Sequence, residues 1–203
     1  MKKCLAISLY PSSAINDSII FENRLKKVLS NFDVKVVRKI QNIRDTPDLI
    51  VYSGSPLSVV NDTRRKSYQY VLNRFRHFRN KYPTIPSLLI CFAMHLYAVG
   101  EGIPVSSDSI VHKQVMKNGV IWNHYDYILS ECEFRGLETL GYSRMPSGAI
   151  FHKGFIHRKE TLMLTQYHPE DSQTSFGRIL KTLMKGFPRN LLVQGTKEQG
   201  PAN

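Results

Sequence analysis

The chain has 203 residues, of which 42% are hydrophobic and 22% charged, and its formal net charge is +12. This length predicts one domain, because domains usually contain about 100–200 residues, and the composition is that of a globular protein. No apolar run approaches the ~20 residues that a transmembrane helix needs, so we expect no membrane-spanning segment.

Apolar runs alternate along the chain with segments of helical period. The first run, residues 4–9, is predicted to be a buried strand, although the two lysines before it also resemble the start of a short signal peptide. The predicted strands are residues 4–9, 34–37, 48–53, 87–90 and 162–166, the predicted helices are residues 18–32, 63–82, 92–99 and 175–184, and residues 105–153 are a strand-rich excursion. We expect residues 1–187 to form the domain and residues 188–203 to be a flexible tail.

This alternation of strands and helices predicts the fold class. It is typical of an α/β domain with a mainly parallel sheet and helices on both faces. Ligands of such sheets bind at the carboxyl ends of the strands. Gly54, Cys91 and His168 all follow predicted strands, so we expect them at that edge.

Cys91 stands between a predicted strand and a predicted helix, and His168 and Glu170 follow another strand far downstream. A lone cysteine at a strand end is usually a small buried hydrophobe. A cysteine at a strand-to-helix turn, with a histidine and a carboxylate from a second strand end, is instead the set that covalent catalysis by a thiolate requires. We therefore predict an acyl-transfer enzyme or the descendant of one.

The segment 63–82 is strongly basic. It contains seven lysines and arginines and no acidic residue, while Val71, Phe75 and Phe78 recur at helical spacing. This pattern predicts a basic amphipathic helix whose charges form a solvated outer face. Docking of an acidic protein or of nucleic acid is the alternative, since Tyr68 and Tyr70 interleave with the basic residues.

The remaining cysteines and histidines show no ligand pattern. Three cysteines without CxxC spacing predict a reducing, cytoplasmic location and argue against a cysteine-based zinc site. Cys4 and Cys132 are expected to be inert. We predict no metal and no cofactor, and we expect four further histidines at the surface: His77, His112, His152 and His157.

Four separated segments resemble, in order, motifs of the class I (triad) glutamine amidotransferase domain, and the resemblance spans about residues 4–186. Residues 47–56 resemble a strand ending in S-G-G-P, residues 85–95 resemble I-P-x-x-G-I-C-x-G-x-Q, residues 120–126 resemble V-W-x-S-H-x-D, and residues 166–170 resemble Q-F-H-P-E. The last match is the most specific, and the third is typical of the GMP synthase branch. No synthetase domain follows, so the resemblance is to a free-standing glutaminase domain or subunit.

The resemblance implies a flavodoxin-like fold and a Cys-His-Glu triad. Cys91 would attack the side-chain amide of glutamine, His168 would be the base, and Glu170 would hold the imidazole tautomer. A thioester would form, and ammonia would pass to a partner synthetase. The resemblance also implies backbone oxyanion donors at Ser55 and Phe92 and five substrate-binding positions: Gly54, His95, Asn123, His124 and Asp126.

Four positions depart from the family pattern. Leu89, Ala93 and Ser55 replace glycines, and His95 replaces a glutamine that helps to hold the substrate. A non-glycine residue forced into a strained backbone costs about 1–3 kcal/mol, and each 1.4 kcal/mol is about tenfold in rate. Two classes of function therefore stay open: an amidotransferase or glutaminase, including a hydrolase of another γ-glutamyl amide, and a binding module that acts through its surface.

Overall fold

The computed structural model describes residues 1–115, 121–132, 135–145 and 147–184, with side chains for all of these except 109–115 and 121–125. The predicted tail, residues 188–203, lies outside the described residues. The strands are β1 (Lys2–Ile7), β2 (Phe32–Val37), β3 (Leu49–Tyr52), β4 (Ser87–Ile90), β5 (Ser106–Val115), β6 (Ile121–Tyr127), β7 (Leu137–Thr139), β8 (Tyr142–Arg144), β9 (Ile150–His152), β10 (Gly154–His157) and β11 (Leu162–Thr165). The helices are α1 (Ile15–Val28), α2 (Lys66–Lys81), α3 (Phe92–Gly100) and α4 (Gln173–Met184).

The central sheet has seven strands in the order β2-β1-β3-β4-β11-β10-β7. The first five are parallel, and β10 and β7 add an antiparallel edge. Every residue of β3, β4 and β11 is buried, as expected for parallel strands covered on both faces. The predicted mainly parallel α/β fold is therefore confirmed.

Two core layers cover the sheet. On one face α2 and α3 pack on alternate strand residues such as Ile50, Tyr52 and Leu89. On the other face α1 and α4 pack on the intervening residues, including Leu88 and Ile90. This alternation along each strand directs the carboxyl ends of β1, β3, β4 and β11 to one edge between the layers, where the candidate site lies.

Helix α1 begins three residues before and ends four residues before the predicted helix 18–32. The Leu29 amide closes the last turn on the carbonyl of Leu25, and Phe32 already pairs with Lys2 in the sheet. The periodic apolar pattern thus continued past the point at which the chain enters β2. No helix in the described ranges combines the length and the apolar character needed to cross a bilayer.

Two predictions of surface exposure are wrong. Arg74 in the basic segment is only 2% exposed and faces inward with the apolar side of α2. His152 is also buried, because its Nε2 can donate to the carbonyl of Cys132 (3.1 Å) while Nδ1 accepts from the Thr139 hydroxyl (3.0 Å). Burial lowers the pKa of His152, which the bond to Cys132 only partly offsets.

Candidate active site

Cys91 lies in the tight turn that joins β4 to α3. Its backbone has φ 48° and ψ −104°, and Thr161 is the other non-glycine residue with positive φ in the described part of the chain. The Cys91 amide donates to the carbonyl of Thr165 (2.6 Å), and the Cys91 carbonyl accepts from His95 (3.2 Å) in the first turn of α3. These bonds offset a backbone strain of about 1–3 kcal/mol and hold the thiol at a helix N-terminus, where negative charge is stabilised.

His168 follows β11 and precedes a single 3-10 turn, Pro169–Asp171, that carries Glu170. The imidazole Nδ1 lies 2.8 Å from Oε1 of Glu170, whose side chain is buried. A carboxylate accepts hydrogen bonds and donates none, so Nδ1 carries the hydrogen and Nε2 is the basic nitrogen. Burial alone would lower the pKa of His168, but attraction to Glu170 and contact with the Cys91 thiol raise it well above its usual value.

Gly54, directly after β3, lies against both of these side chains. A Cβ placed on Gly54 would lie 2.8 Å from Cε1 of His168 and 3.7 Å from Cβ of Cys91. Its φ is not in the positive range, so the position needs glycine for space and not for backbone freedom. The fold therefore brings together Gly54, Cys91, His168 and Glu170 from three strand ends.

Solved structures with the same architecture include glutamine amidotransferases. A GMP synthase subunit protein from Thermoplasma acidophilum aligns with a TM-score of 0.61 over 91% of this chain and 93% of that chain, at 21% identity. The chain has the class I glutamine amidotransferase fold. A glutamine amidotransferase from Thermotoga maritima aligns with a TM-score of 0.51 at 16% identity, covering 91% of this chain and 83% of that chain. PurLQS from Thermotoga maritima aligns with a TM-score of 0.54 at 12% identity, covering 90% of this chain and 100% of that chain. No protein-family model and no curated protein matches the sequence.

The amidotransferase fold accommodates the residues that replace the family glycines. Leu89 is fully buried between Tyr52 and Leu164 in the sheet register and packs in the α2 and α3 layer. Ala93 is also fully buried. Ser55 is not among the described non-glycine residues with positive φ, so its backbone lacks the strain expected from the sequence. The elbow thus forms with a larger residue inside the core.

His95 lies four residues after Cys91 on α3 and is almost fully buried. Its Nε2 is 2.8 Å from Oε1 of Gln166, so Nε2 is the donor of this pair. The Gln166 amide nitrogen points to the carbonyl of Asp126 (3.2 Å) and lies 3.9 Å from the Cys91 sulfur. Sequence reasoning quoted Gln166 in a motif but gave it no role, because only the folded chain shows that it links His95 to the thiol.

The Asp126 carboxylate lies beneath the loop that follows β3. Its two oxygens accept from the Ser58 hydroxyl (2.7 Å) and from the amide of Val59 (2.6 Å). Asp126 therefore anchors the loop that includes Ser55. Asn123 and His124 lie on β6, where they pair in register with Lys113 and His112, and their side chains are outside the described residues.

Tyr10 is a neighbour of the triad that the sequence did not indicate. It follows the carboxyl end of β1, and burial raises its pKa, with smaller contributions from the charges of Glu170 and Cys91. Because the ring comes from the same edge of the sheet, only its position after a strand could have suggested a place near the site.

The buried imidazole of His95 predicts a pH dependence of stability. Burial lowers the pKa of His95, outweighing the attraction of Asp126 and the bond to Gln166, whereas the unfolded group titrates near 6.5. Its contribution to stability is therefore present above about pH 6.5 and is lost as pH falls towards the folded pKa. In His95→Gln the loss of unfolding free energy between pH 7 and 5 becomes smaller, with His152 supplying the remainder. Urea unfolding at several pH values measures this, and equal slopes in both proteins would contradict it.

Proposed function

We propose that the chain is a glutamine amidotransferase or glutaminase that works through Cys91, His168 and Glu170. The observation that carries the proposal is the strained elbow, which holds Cys91 at the N-terminus of α3 beside an imidazole oriented by Glu170. This is the arrangement of nucleophile, base and orienting group that covalent acyl transfer uses. The fold shared with amidotransferase structures supports it.

The reaction follows from these positions. Nε2 of His168 takes the thiol proton, and the Cys91 thiolate attacks the carbon of the side-chain amide. The C–N bond then breaks, and the nitrogen leaves as ammonia with the proton held by His168. Water, deprotonated by the same imidazole, attacks the thioester and releases glutamate and the free thiol.

The backbone amides of Ser55 and Phe92 are the proposed donors to the oxyanion. Phe92 is the first residue of α3, and an amide in a first helical turn has no acceptor within its helix. Ser55 lies next to Gly54 and belongs to the loop that Asp126 anchors. Donors preset at this point would stabilise the charge that develops in the transition state.

The substrate is either glutamine or another γ-glutamyl amide. His95 stands where the family pattern has a substrate-holding glutamine, and its Nε2 is engaged with Gln166. A buried histidine at this position supports a pocket with different hydrogen-bonding capacity. A panel of γ-glutamyl amides assayed beside glutamine distinguishes the two.

Selective labelling tests the proposed nucleophile. A diazo-ketone analogue of glutamine is expected to alkylate Cys91 at least about a hundredfold faster than the other two thiols, because the imidazole can remove its proton. Burial raises the pKa of the Cys4 thiol, and burial together with Glu131 raises that of Cys132. Intact-mass analysis and peptide mapping measure the rates. Equal labelling of the three thiols, or none at Cys91, would exclude an active triad.

We further propose an ammonia-accepting synthetase partner in a reducing cytoplasm, consistent with three free thiols. The exposed basic residues around α2 would attract an acidic surface: Arg64, Arg65, Lys66, Arg76 and Lys81. Such attraction is screened by salt. We expect Arg76→Glu to weaken capture of the partner from native extract at 50 mM salt and to have little effect at 500 mM. Recovery of nucleic acid instead would favour the binding module.

A further inference from the structure

A second cavity lies at the same edge of the sheet as the triad, beyond the ends of β1 and β2. Its volume is about 600 Å³, which is within the usual range of about 300–1,000 Å³ for small-molecule sites. It is lined by residues from the start of α1, the end of β2 and α2: Tyr10, Pro11, Ser12, Ile15, Ser18, Val36, Arg38, Lys39, Gln41, Tyr70 and Arg74. We call it the basic cavity, because three of these residues are cationic and none is acidic.

Arg74 is the residue that makes this cavity unusual. Its side chain is 2% exposed, and no carboxylate in the described part of the chain pairs with it. One guanidinium nitrogen donates to the carbonyl of Ser8, but Nε has no hydrogen-bond partner among the described atoms. A buried cation without an anion costs several kcal/mol, since water no longer solvates it. The bond to Ser8 explains the position of the side chain but leaves its charge uncompensated.

The surroundings of Arg74 favour a doubly charged anion. Arg38 donates to Ser18 (2.9 Å) and pairs with Glu22, so Glu22 offsets one of the three positive charges. Arg74 and Lys39 form no ion pair within the described residues. The two remaining charges match a phosphate monoester, which carries about −1.5 to −2 at pH 7.

The rest of the cavity suits an organic group. Tyr70 is 49% exposed, and its ring centroid lies 4.9 Å from the Arg74 guanidinium carbon. Ile15 is 46% exposed at the start of α1. These side chains form an apolar wall beside the cations, and the amides of the first turn of α1 add donors, although Asp17 in that turn partly opposes an anion.

We propose that the basic cavity binds a small phosphomonoester, with its phosphate on Arg74, Arg38 and Lys39 and its organic part against Tyr70 and Ile15. None of the triad residues lines it, so this site is separate from the proposed reaction centre. Bidentate recognition of phosphate by guanidinium groups supplies the specificity.

Calorimetric titration of the full chain with inorganic phosphate and with phenyl phosphate, at constant ionic strength set with chloride, tests the proposal. We expect both ligands to bind, and phenyl phosphate to bind about tenfold tighter because of its ring. Arg74→Met is expected to abolish binding. Lys39→Gln, at an exposed side chain that carries no risk to folding, is expected to weaken it about fivefold to tenfold.

Arg76→Gln is the matched control, because Arg76 is exposed on the same helix and does not line the basic cavity. It should bind both ligands as wild type does. The proposal is overturned if wild type binds neither ligand above the chloride background, or if Lys39→Gln leaves the affinity unchanged. An equal loss in Arg76→Gln would also overturn it, because that result reports general charge attraction. If Arg74→Met does not fold, Lys39→Gln and Tyr70→Ala decide the question.

Discussion

Cys91→Ala is expected to reduce release of ammonia and glutamate from glutamine at least about a thousandfold, to the background of the assay. The thiol is the group at the elbow that would form the covalent intermediate, and removing a nucleophile typically leaves only the residual effect of the oxyanion donors. Enzyme-coupled detection of both products at equal folded concentration measures the change. If a partner is needed for full activity, the comparison is repeated with the captured complex.

Two further variants identify the substrate class in the same assay. Ser55→Gly should preserve or raise glutamine hydrolysis if the oxyanion loop limits a working glutaminase, because glycine widens the choice of backbone shapes. His95→Gln should matter more if the pocket serves another γ-glutamyl amide. Cys132→Ala is the matched control, since this partly exposed thiol has no role in the proposed chemistry. Wild-type activity equal to that of Cys91→Ala, with no gain in either restored variant, would favour the binding module.

The sequence predicted the sheet well because its signals are local. Residues 49–52, 87–90 and 162–165 are short, wholly apolar or nearly so, and bounded by breakers, and a strand buried on both faces has that pattern. The prediction that Cys91 and His168 lie at one edge needed only the rule that parallel strands end together. Helix boundaries were less certain, because apolar periodicity in α1 runs into the apolar start of β2.

The contacts that the sequence did not predict join residues far apart in the chain. The bond between His95 and Gln166 spans 71 positions, and that between Asp126 and Ser58 spans 68. Arg74 was placed on the outer face because six other basic residues surround it in sequence and hide the inward direction of one. Local pattern specifies which face of an element is apolar, but it does not specify which polar side chain crosses to the other side.

Gly54→Ala is expected to lower kcat/KM about a hundredfold while the protein stays folded. The added methyl group would lie 2.8 Å from Cε1 of His168, so the imidazole must move away from Cys91 and from its bond to Glu170. A misplacement approaching 1 Å at a reacting group typically costs about that factor. The backbone of Gly54 is compatible with alanine, so the effect reports the position of the imidazole and not a distorted loop.

Gly177→Ala provides the control for this substitution. Gly177 lies on the exposed side of α4, and a Cβ there meets nothing within 4 Å. Alanine in a helix is expected to raise stability by about 0.5–1 kcal/mol and to leave kcat/KM unchanged. Thermal unfolding of both variants separates a shifted imidazole from a loss of structure. Wild-type rates of glutamine hydrolysis and of Cys91 labelling in folded Gly54→Ala would show that His168 does not act on Cys91 from its observed position, and the proposed base would then have to be another group.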